Sequence, residues 1–471
     1  MNVFETSANG NLHAVKKDFK KSEQHSTVSI NTKKRRQTII GFGGAFTEST
    51  AHNINLLSPE NRTEIIDAYF GEEGAAYSLT RTHMNSCDFS VANYSYTPVE
   101  GDTALEHFSI DPDRADILPM IKDAQAVSKE GFKIFGSPWT AAPWMKDNNN
   151  YVGGKLKKEY YDTWALFFSK YVDAFREEGI DIWGFTVENE PHGNGNNWES
   201  MHYSPEEMTD FVVNHLGPQL EADGKGDLII MGYDQNRQGV PEWADVMYRD
   251  DTTKRYYDGM AVHWYESTYD YFPDMLDYAR KAAPEKILLQ TEACIDNQVP
   301  VWRDDAWYWQ KEATDWGYYW REEENRYLHP KYAPVNRYAR DIIGCLNHWV
   351  QGWVDWNMVL DTQGGPNWAK NWCIAPIIVD PEKDEIYYTP LYYVMKHFSK
   401  HIRPGAQVLE VNQTDGELMV TAAENEDGSI VVVVFNEGGQ PRSFDLNMDG
   451  TERLIAIDAQ ALQTIVIEPK Q

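Results

Sequence analysis

Short apolar runs alternate with amphipathic stretches along most of the chain. Eight runs have the length of buried strands: residues 39–46, 76–82, 132–139, 182–188, 228–232, 260–265, 287–291 and 353–357. A run that is apolar at every position, rather than at every second one, marks a strand covered on both faces. Helical periodicity fits residues 58–70, 113–130, 159–178, 205–220, 273–283 and 335–350. The first of these opens on Ser58-Pro59-Glu60, a capping serine followed by proline at the first helical position. Eight strands alternating with helices predict an α/β fold of the (β/α)8 TIM-barrel type.

From about residue 405 the pattern changes to short β-rich runs at 416–423, 428–435, 442–446 and 461–467. Turn signals separate them, such as Glu426-Asp427-Gly428 and Asp449-Gly450. This predicts an accessory antiparallel β-sandwich. Three segments follow: residues 1–36, too short to fold alone and expected to add a strand or two to the sandwich; 37–400, the barrel; and 401–471, the sandwich. The basic cluster Lys33-Lys34-Arg35-Arg36 reads as a solvated strand end or loop.

Composition narrows the partners. At 471 residues the chain can hold a barrel and a smaller domain, and 42% hydrophobic residues supply a sizeable core. A net charge of -30 opposes binding to nucleic acid or to an anionic membrane surface, and favours a neutral or cationic substrate. The same charge would also simply solvate the surface. The 17 Trp and 27 Tyr suit both a core and the stacking of flat rings on sugars. The four cysteines, Cys87, Cys294, Cys345 and Cys373, have neither zinc spacing nor the density of a disulfide framework. They read as reduced, buried thiols. Residues 1–21 lack the apolar stretch of a signal peptide, and no window reaches the ~18 apolar residues of a membrane span. A cytoplasmic protein is expected, or a secreted or periplasmic one whose signal has been removed.

Two apolar runs end on carboxylates: Val187-Glu188-Asn189-Glu190-Pro191 and Leu288-Leu289-Gln290-Thr291-Glu292-Ala293. In a (β/α)8 barrel the C-terminal ends of the strands form the catalytic face. Two carboxylates delivered there suit glycosidic bond cleavage, with their separation setting retention or inversion. Glu188 rivals Glu190, because alternation points both the same way. Either one could be a structural carboxylate. There is no H-E-x-x-H, and Gly41-Phe42-Gly43-Gly44 lacks nucleotide-loop spacing, so neither metal nor cofactor is expected.

Several segments lie in order over nearly the whole chain: Gly41-Phe42-Gly43-Gly44-Ala45-Phe46-Thr47-Glu48, Ser86-Cys87-Asp88-Phe89-Ser90, Ser137-Pro138-Trp139-Thr140, Glu188-Asn189-Glu190-Pro191, His263-Trp264-Tyr265, Thr291-Glu292-Ala293-Cys294, Gly352-Trp353-Val354-Asp355-Trp356-Asn357 and Gly364-Gly365-Pro366-Asn367-Trp368. Together they resemble glycoside hydrolase family 30, the family of glucosylceramidases and bacterial β-1,6-glucanases. The resemblance implies that Glu190 is the acid/base, that Glu292 is the nucleophile, and that Asn189 bonds the sugar 2-hydroxyl. It places Asp88, Asn371 and Trp372 in the glucose subsite. An acid/base Glu190 should be protonated at rest, and an ionised Glu292 needs cationic or donor neighbours.

Arg81 is the candidate cation, with a structural salt bridge to Asp88 as its other reading. Tyr265 is the candidate phenolic donor. Trp139 and Trp356 are read as sugar-stacking rings at strand ends, or else as core. His263 is read as a hydrogen-bonded support, and Asp355 as a residue behind the site. The aromatic stretch 301–338 is expected to wall a narrow saccharide pocket, or to pack as a lid. The expected activity is retaining hydrolysis of β-linked glucose, foremost β-1,6 bonds in glucan branches or oligosaccharides. Glucosylceramide, a β-xyloside or β-fucoside, and non-catalytic sugar binding are the alternatives.

Overall fold

The computed structural model describes residues 1–7, 11–19, 21–22, 25–193, 197–267, 269–296, 333–414 and 416–469. Eight parallel strands close into a barrel in chain order: Gly41–Phe46, Leu79–Met84, Lys133–Pro138, Gly184–Thr186, Ile229–Asn236, Gly259–His263, Ile287–Glu292 and Gly352–Asn357. The eighth strand pairs with the first, Gly352 opposite Gly41. Gly41-Phe42-Gly43-Gly44 is part of the first strand, and its glycines serve packing. A β-carbon on Gly43 would sit 1.9 Å from the Leu79 carbonyl oxygen on the neighbouring strand.

All eight expected strands are present, with shifted ends. The second begins three residues later than the sequence suggested, because Ala76 has φ 50° and turns the chain before pairing starts. The fifth runs four residues past its expected end, through a register shift between Tyr233 and Gln235. The expected helix over 205–220 divides into Pro205–Phe211, a π-helical turn Val212–Leu216, and Gly217–Ala222. Pro218 has no N–H to continue the α ladder, and the wider turn absorbs the break. The helix expected at 58–70 is Pro59–Phe70, with Ser58 Oγ accepting from the Asn61 N–H.

The alternation of side chains along the strands builds the barrel interior in layers. Leu79, Phe135, Met231, Ala261, Leu289 and Val354 form an apolar plug. Two residues further along their strands come Arg81, Ser137, His263, Thr291 and Trp356, all buried. The interior is therefore oily below and polar at the C-terminal mouth.

Nine further strands form one ladder curled over its own apolar interior, which includes Val28, Val432, Phe444 and Ile465. A two-stranded sheet, Ile295–Asp296 with Cys373–Ile374, and a three-stranded one, Val359–Asp361 with Ile377–Asp380 and Glu385–Tyr388, complete the described strands. Asn2–Ser7 pairs antiparallel with Ala461–Ile467. The 14-residue strand His25–Thr38 lies between Gln407–Gln413 and Arg442–Met448. The basic cluster sits on this strand, where Lys34 pairs with Glu410 and Arg35 with Glu424. The sandwich is stitched to the barrel through His397, whose ring nitrogens bond Thr464 and Thr6, each at 2.8 Å.

Candidate active site

A cleft of about 450 Å³ opens at the C-terminal mouth of the barrel. Asp88, Trp139, Asn189, Glu190, Tyr265, Glu292, Trp356 and Asn371 line it, so eight of the ten residues singled out in the sequence converge there. A ninth, Arg81, lies fully buried beneath. Trp372 is outside this lining: a methyl group on Gly365 would come 2.9 Å from its ring, which places the indole against the 364–366 turn. Of the expected wall at 301–338, residues 301–332 lie outside the described residues, and the rest begins the helix Ala333–Asn347.

Arg81 organises the floor, with every guanidinium N–H engaged. Nε donates to Ser137 Oγ at 2.9 Å. Nη1 donates to Glu292 Oε2 at 2.6 Å and to the Thr291 carbonyl at 3.4 Å. Nη2 donates to Asn189 Oδ1 at 2.9 Å and to Asp234 Oδ2 at 2.7 Å. The alternative bridge to Asp88 does not form. Asp88 instead accepts from Asn371 Nδ2 at 3.2 Å. Tyr265 Oη donates to the second oxygen of Glu292 at 2.8 Å. The cation and the phenol expected beside Glu292 are therefore both in contact with it, one on each oxygen.

Glu188 and Glu190 do not point the same way. The fourth strand ends its ladder at Thr186, and Glu190 has φ 48°, so strand alternation no longer applies. Glu190 turns into the cleft, its side chain 22% exposed, with Oε1 3.2 Å from His263 Nδ1. Glu188 is wholly buried behind it, and neither of its oxygens has a hydrogen-bond partner among the described residues. Burial drives its carboxyl far above the ordinary range, with Lys146 drawing it partly back.

Asp234 is the residue that the sequence reading missed. It follows the apolar run 228–232 by two positions, so the signal that marked Glu190 and Glu292 was present there too. The register shift in the fifth strand, with φ 74° at Tyr233 and 62° at Asp234, turns its carboxylate to the barrel axis. It accepts from Arg81, from Thr186 Oγ1 at 2.7 Å, from Thr291 Oγ1 at 2.6 Å and from His263 Nε2 at 2.9 Å. Burial alone would raise its pKa; Arg81 and His263 outweigh that and hold it at about 2.

His263 thus bridges Asp234 and Glu190. Burial disfavours its charged form, but the neighbouring Glu292 and Asp234 charges prevail and lift it to about 9. Glu190, His263 and Glu292 bring one donor atom each within 4.8 Å of one another. A cation seated there would have to displace the proton that Glu292 and Asp234 favour on His263. Glu292 is pushed above the ordinary carboxylate range by burial, against the pull of His263 and Arg81, and the neighbouring Glu190 adds to the rise. Asp88 is raised strongly as well, by burial and then by the charges of Glu292 and Glu199.

Trp139 and Trp356 stack on each other, with centroids 5.1 Å apart and planes at 19°. The Arg81 guanidinium lies 4.8 Å from the Trp139 centroid and 5.5 Å from that of Trp356. Cation–π contact therefore ties the indole pair to the charged floor. Glu199, also unmarked in the sequence, accepts from Ser86, Asn93 and Trp368 and holds three cleft loops together. Asp355 lies behind the site and accepts from Tyr338 at 2.7 Å.

The arrangement has known relatives. The model of the glycosyl hydrolase family 30 TIM-barrel domain matches residues 39–402, and that of the family 30 beta sandwich domain matches residues 405–465. Putative glucosylceramidase 3 of Caenorhabditis elegans is 35% identical over 452 residues, 94% of this chain and 80% of that protein. Among solved structures, SrfJ from Salmonella typhimurium superposes with a TM-score of 0.87 at 28% identity, covering 100% of this chain and 99% of its own. The endo-beta1,6-glucanase BT3312 superposes with a TM-score of 0.84 at 26% identity, covering 99% of each chain. Two family models in succession account for nearly the whole length, and a relative above 30% identity spans most of it. The chain therefore belongs to glycoside hydrolase family 30, and it is a glycosidase with a carbohydrate substrate.

Proposed function

We propose that the protein hydrolyses β-linked glucosides with retention of configuration, Glu292 being the nucleophile and Glu190 the acid/base. One observation carries the reading: an oxygen of Glu190 and an oxygen of Glu292 lie within 4.8 Å of each other. Retaining enzymes hold the two carboxyls about 5–5.5 Å apart, whereas inverting enzymes need about 6.5–9.5 Å to seat a water between them. A nearest approach of this size supports the shorter, retaining separation.

The steps follow from the contacts. Glu292 attacks the anomeric carbon while Glu190 protonates the departing oxygen, which gives a glycosyl ester on Glu292. Glu190, now a carboxylate, takes a proton from water as the water attacks the anomeric carbon, and the bond from that carbon to the Glu292 oxygen breaks to free the sugar. Arg81 and Tyr265 each hold one Glu292 oxygen, so the attacking lone pair is aimed before substrate arrives. Asn189 gives its amide oxygen to Arg81, which leaves its amide N–H groups to face the cleft and a sugar hydroxyl. A protonated Asp88 can donate as well as accept at the glucose rim.

The preferred substrate is β-1,6-linked glucose in glucan branches or oligosaccharides. Support comes from a cleft rim rich in amide and carboxyl groups, and from the likeness to an endo-beta1,6-glucanase. A second reading, a glucosylceramide, draws on the 35% identity to a putative glucosylceramidase. Proton NMR during hydrolysis of an aryl β-glucoside tests the mechanism. The β-anomer of glucose should appear first; initial release of the α-anomer would overturn retention. A panel of gentiobiose, β-1,6-glucan, laminarin, cellobiose, an aryl β-xyloside and glucosylceramide tests the substrate. The β-1,6 linkages should be cleaved fastest, and faster turnover of glucosylceramide would favour the second reading.

A further inference from the structure

Cys294 and Cys373 are 79 positions apart in sequence, yet their sulfurs lie 3.3 Å apart. Both line the active-site cleft while staying almost wholly buried, 4% and 2% exposed. A short antiparallel ladder holds them together, with Ile295 opposite Ile374 and Asp296 opposite Cys373. Cys294 follows Glu292 by two residues, and its sulfur is 3.4 Å from the Tyr265 hydroxyl oxygen that donates to Glu292. Cys373 follows Asn371, which holds Asp88. The pair thus joins the segment that carries the proposed nucleophile to the wall that follows the neighbouring eighth strand.

We propose that Cys294 and Cys373 are an oxidisable dithiol in the cleft wall, a modification site that a small hydroperoxide entering the cleft closes into a disulfide. One sulfur attacks the terminal peroxide oxygen, and the O–O bond breaks to give a sulfenic acid and an alcohol, or water when the oxidant is hydrogen peroxide. The second sulfur attacks the first and expels water. The two thiols lose two electrons and two protons in all, and the hydroperoxide takes both. A sulfur–sulfur bond is about 2.05 Å long, so the two sulfurs converge by roughly 1 Å from their present 3.3 Å. Cys294 is drawn away from Tyr265, and the segment after Glu292 is tied to the wall bearing Asn371. Turnover falls by tenfold or more, since a misplacement of about 1 Å can cost about 100-fold. Reduction restores it.

The bridge itself does not depend on the roles given to Glu190 and Glu292, whereas its effect on turnover does, so mass and activity are read separately. The full chain is treated with hydrogen peroxide, and its intact mass and unreduced peptide map are recorded. Loss of two hydrogens per chain and a linked Cys294–Cys373 peptide pair are expected, with activity lost in parallel and recovered with dithiothreitol. Phenylarsine oxide, which spans closely spaced thiols, should bind one per chain and block the oxidation. Cys294→Ser and Cys373→Ser, each compared with its own untreated sample, should show neither the loss of two hydrogens nor the linked peptide pair. Sulfinic acids without a link, or a link through Cys87 or Cys345, would overturn the site. A Cys294–Cys373 link with unchanged turnover would overturn its effect on catalysis.

Discussion

At the scale of single residues, the cleft is decided by which charges are given partners. Arg81 and Asp234 are both without solvent exposure and paired at 2.7 Å, so each satisfies a charge that would otherwise be stranded. Glu292 shares Arg81 with Asp234 and, of these two carboxylates, is the one that also lines the cleft. Glu292→Gln is expected to abolish turnover without altering the far-ultraviolet circular dichroism spectrum. A variant keeping more than about a tenth of the activity would refute the nucleophile role, because covalent catalysis lowers the barrier by several kcal/mol. Glu190→Ala is expected to slow alkyl glucosides far more than activated aryl glucosides, since only the former need a proton on the leaving oxygen. Equal slowing of both would refute the acid role.

Asp355 carries a pH dependence of its own. Burial pushes its carboxyl up to about 8, against hydrogen bonds from Tyr338 and the Trp356 N–H. The folded chain therefore holds a proton that the unfolded chain, with an ordinary Asp pKa near 4, has already lost. Stability is full below that ordinary value and falls as pH rises toward 8, by at most about 1.4 kcal/mol per pH unit. Asp355→Asn keeps the acceptor for Tyr338 and cannot ionise. Urea unfolding of this variant from pH 4 to 9 should show a flatter decline than the parent; an identical slope would assign the dependence to other groups.

At the scale of elements, irregular backbone does most of the aiming. On the fifth strand a register shift turns Asp234 inward beneath the cleft, and Glu190 reaches the cleft because the chain leaves the strand at Thr186. Another register shift precedes Glu292 on the seventh strand. Regular strands build the plug, and their irregular ends present the chemistry. Helices follow simpler rules. Ser58→Ala removes the cap of Pro59–Phe70 and should cost about 1 kcal/mol in denaturant unfolding, with little change in kcat/KM. A loss below about 0.3 kcal/mol would mean that packing of Ile65, Ile66, Tyr69 and Phe70 alone holds this helix.

At the scale of the whole molecule, barrel and sandwich are interleaved in sequence. The strand His25–Thr38 precedes the barrel in the chain but lies inside the sandwich ladder, with neighbours that come after the barrel. A chain lacking residues 1–38 would leave Gln407–Gln413 and Arg442–Met448 with exposed edges. It is expected to express as aggregate, or as soluble oligomers by size-exclusion chromatography. A monomeric, fully active product would show that the sandwich dispenses with that strand.

The sequence by itself determined the alternation of strands and helices, and with it the barrel, because burial on both faces leaves short apolar runs, too brief for helices, between longer amphipathic stretches. It also marked Glu190 and Glu292, since a carboxylate closing such a run is costly unless it is used, and the family motifs named their neighbours. Strand alternation could not separate Glu188 from Glu190, and only the family resemblance chose Glu190; the tertiary structure supplies the physical reason, a positive φ after the strand that cancels the alternation. Tertiary structure alone brought Asp234 to Arg81 and His263, and Cys294 to Cys373. Those contacts join residues that are distant along the chain, and local pattern carries no information about which separate strands will meet at the barrel axis.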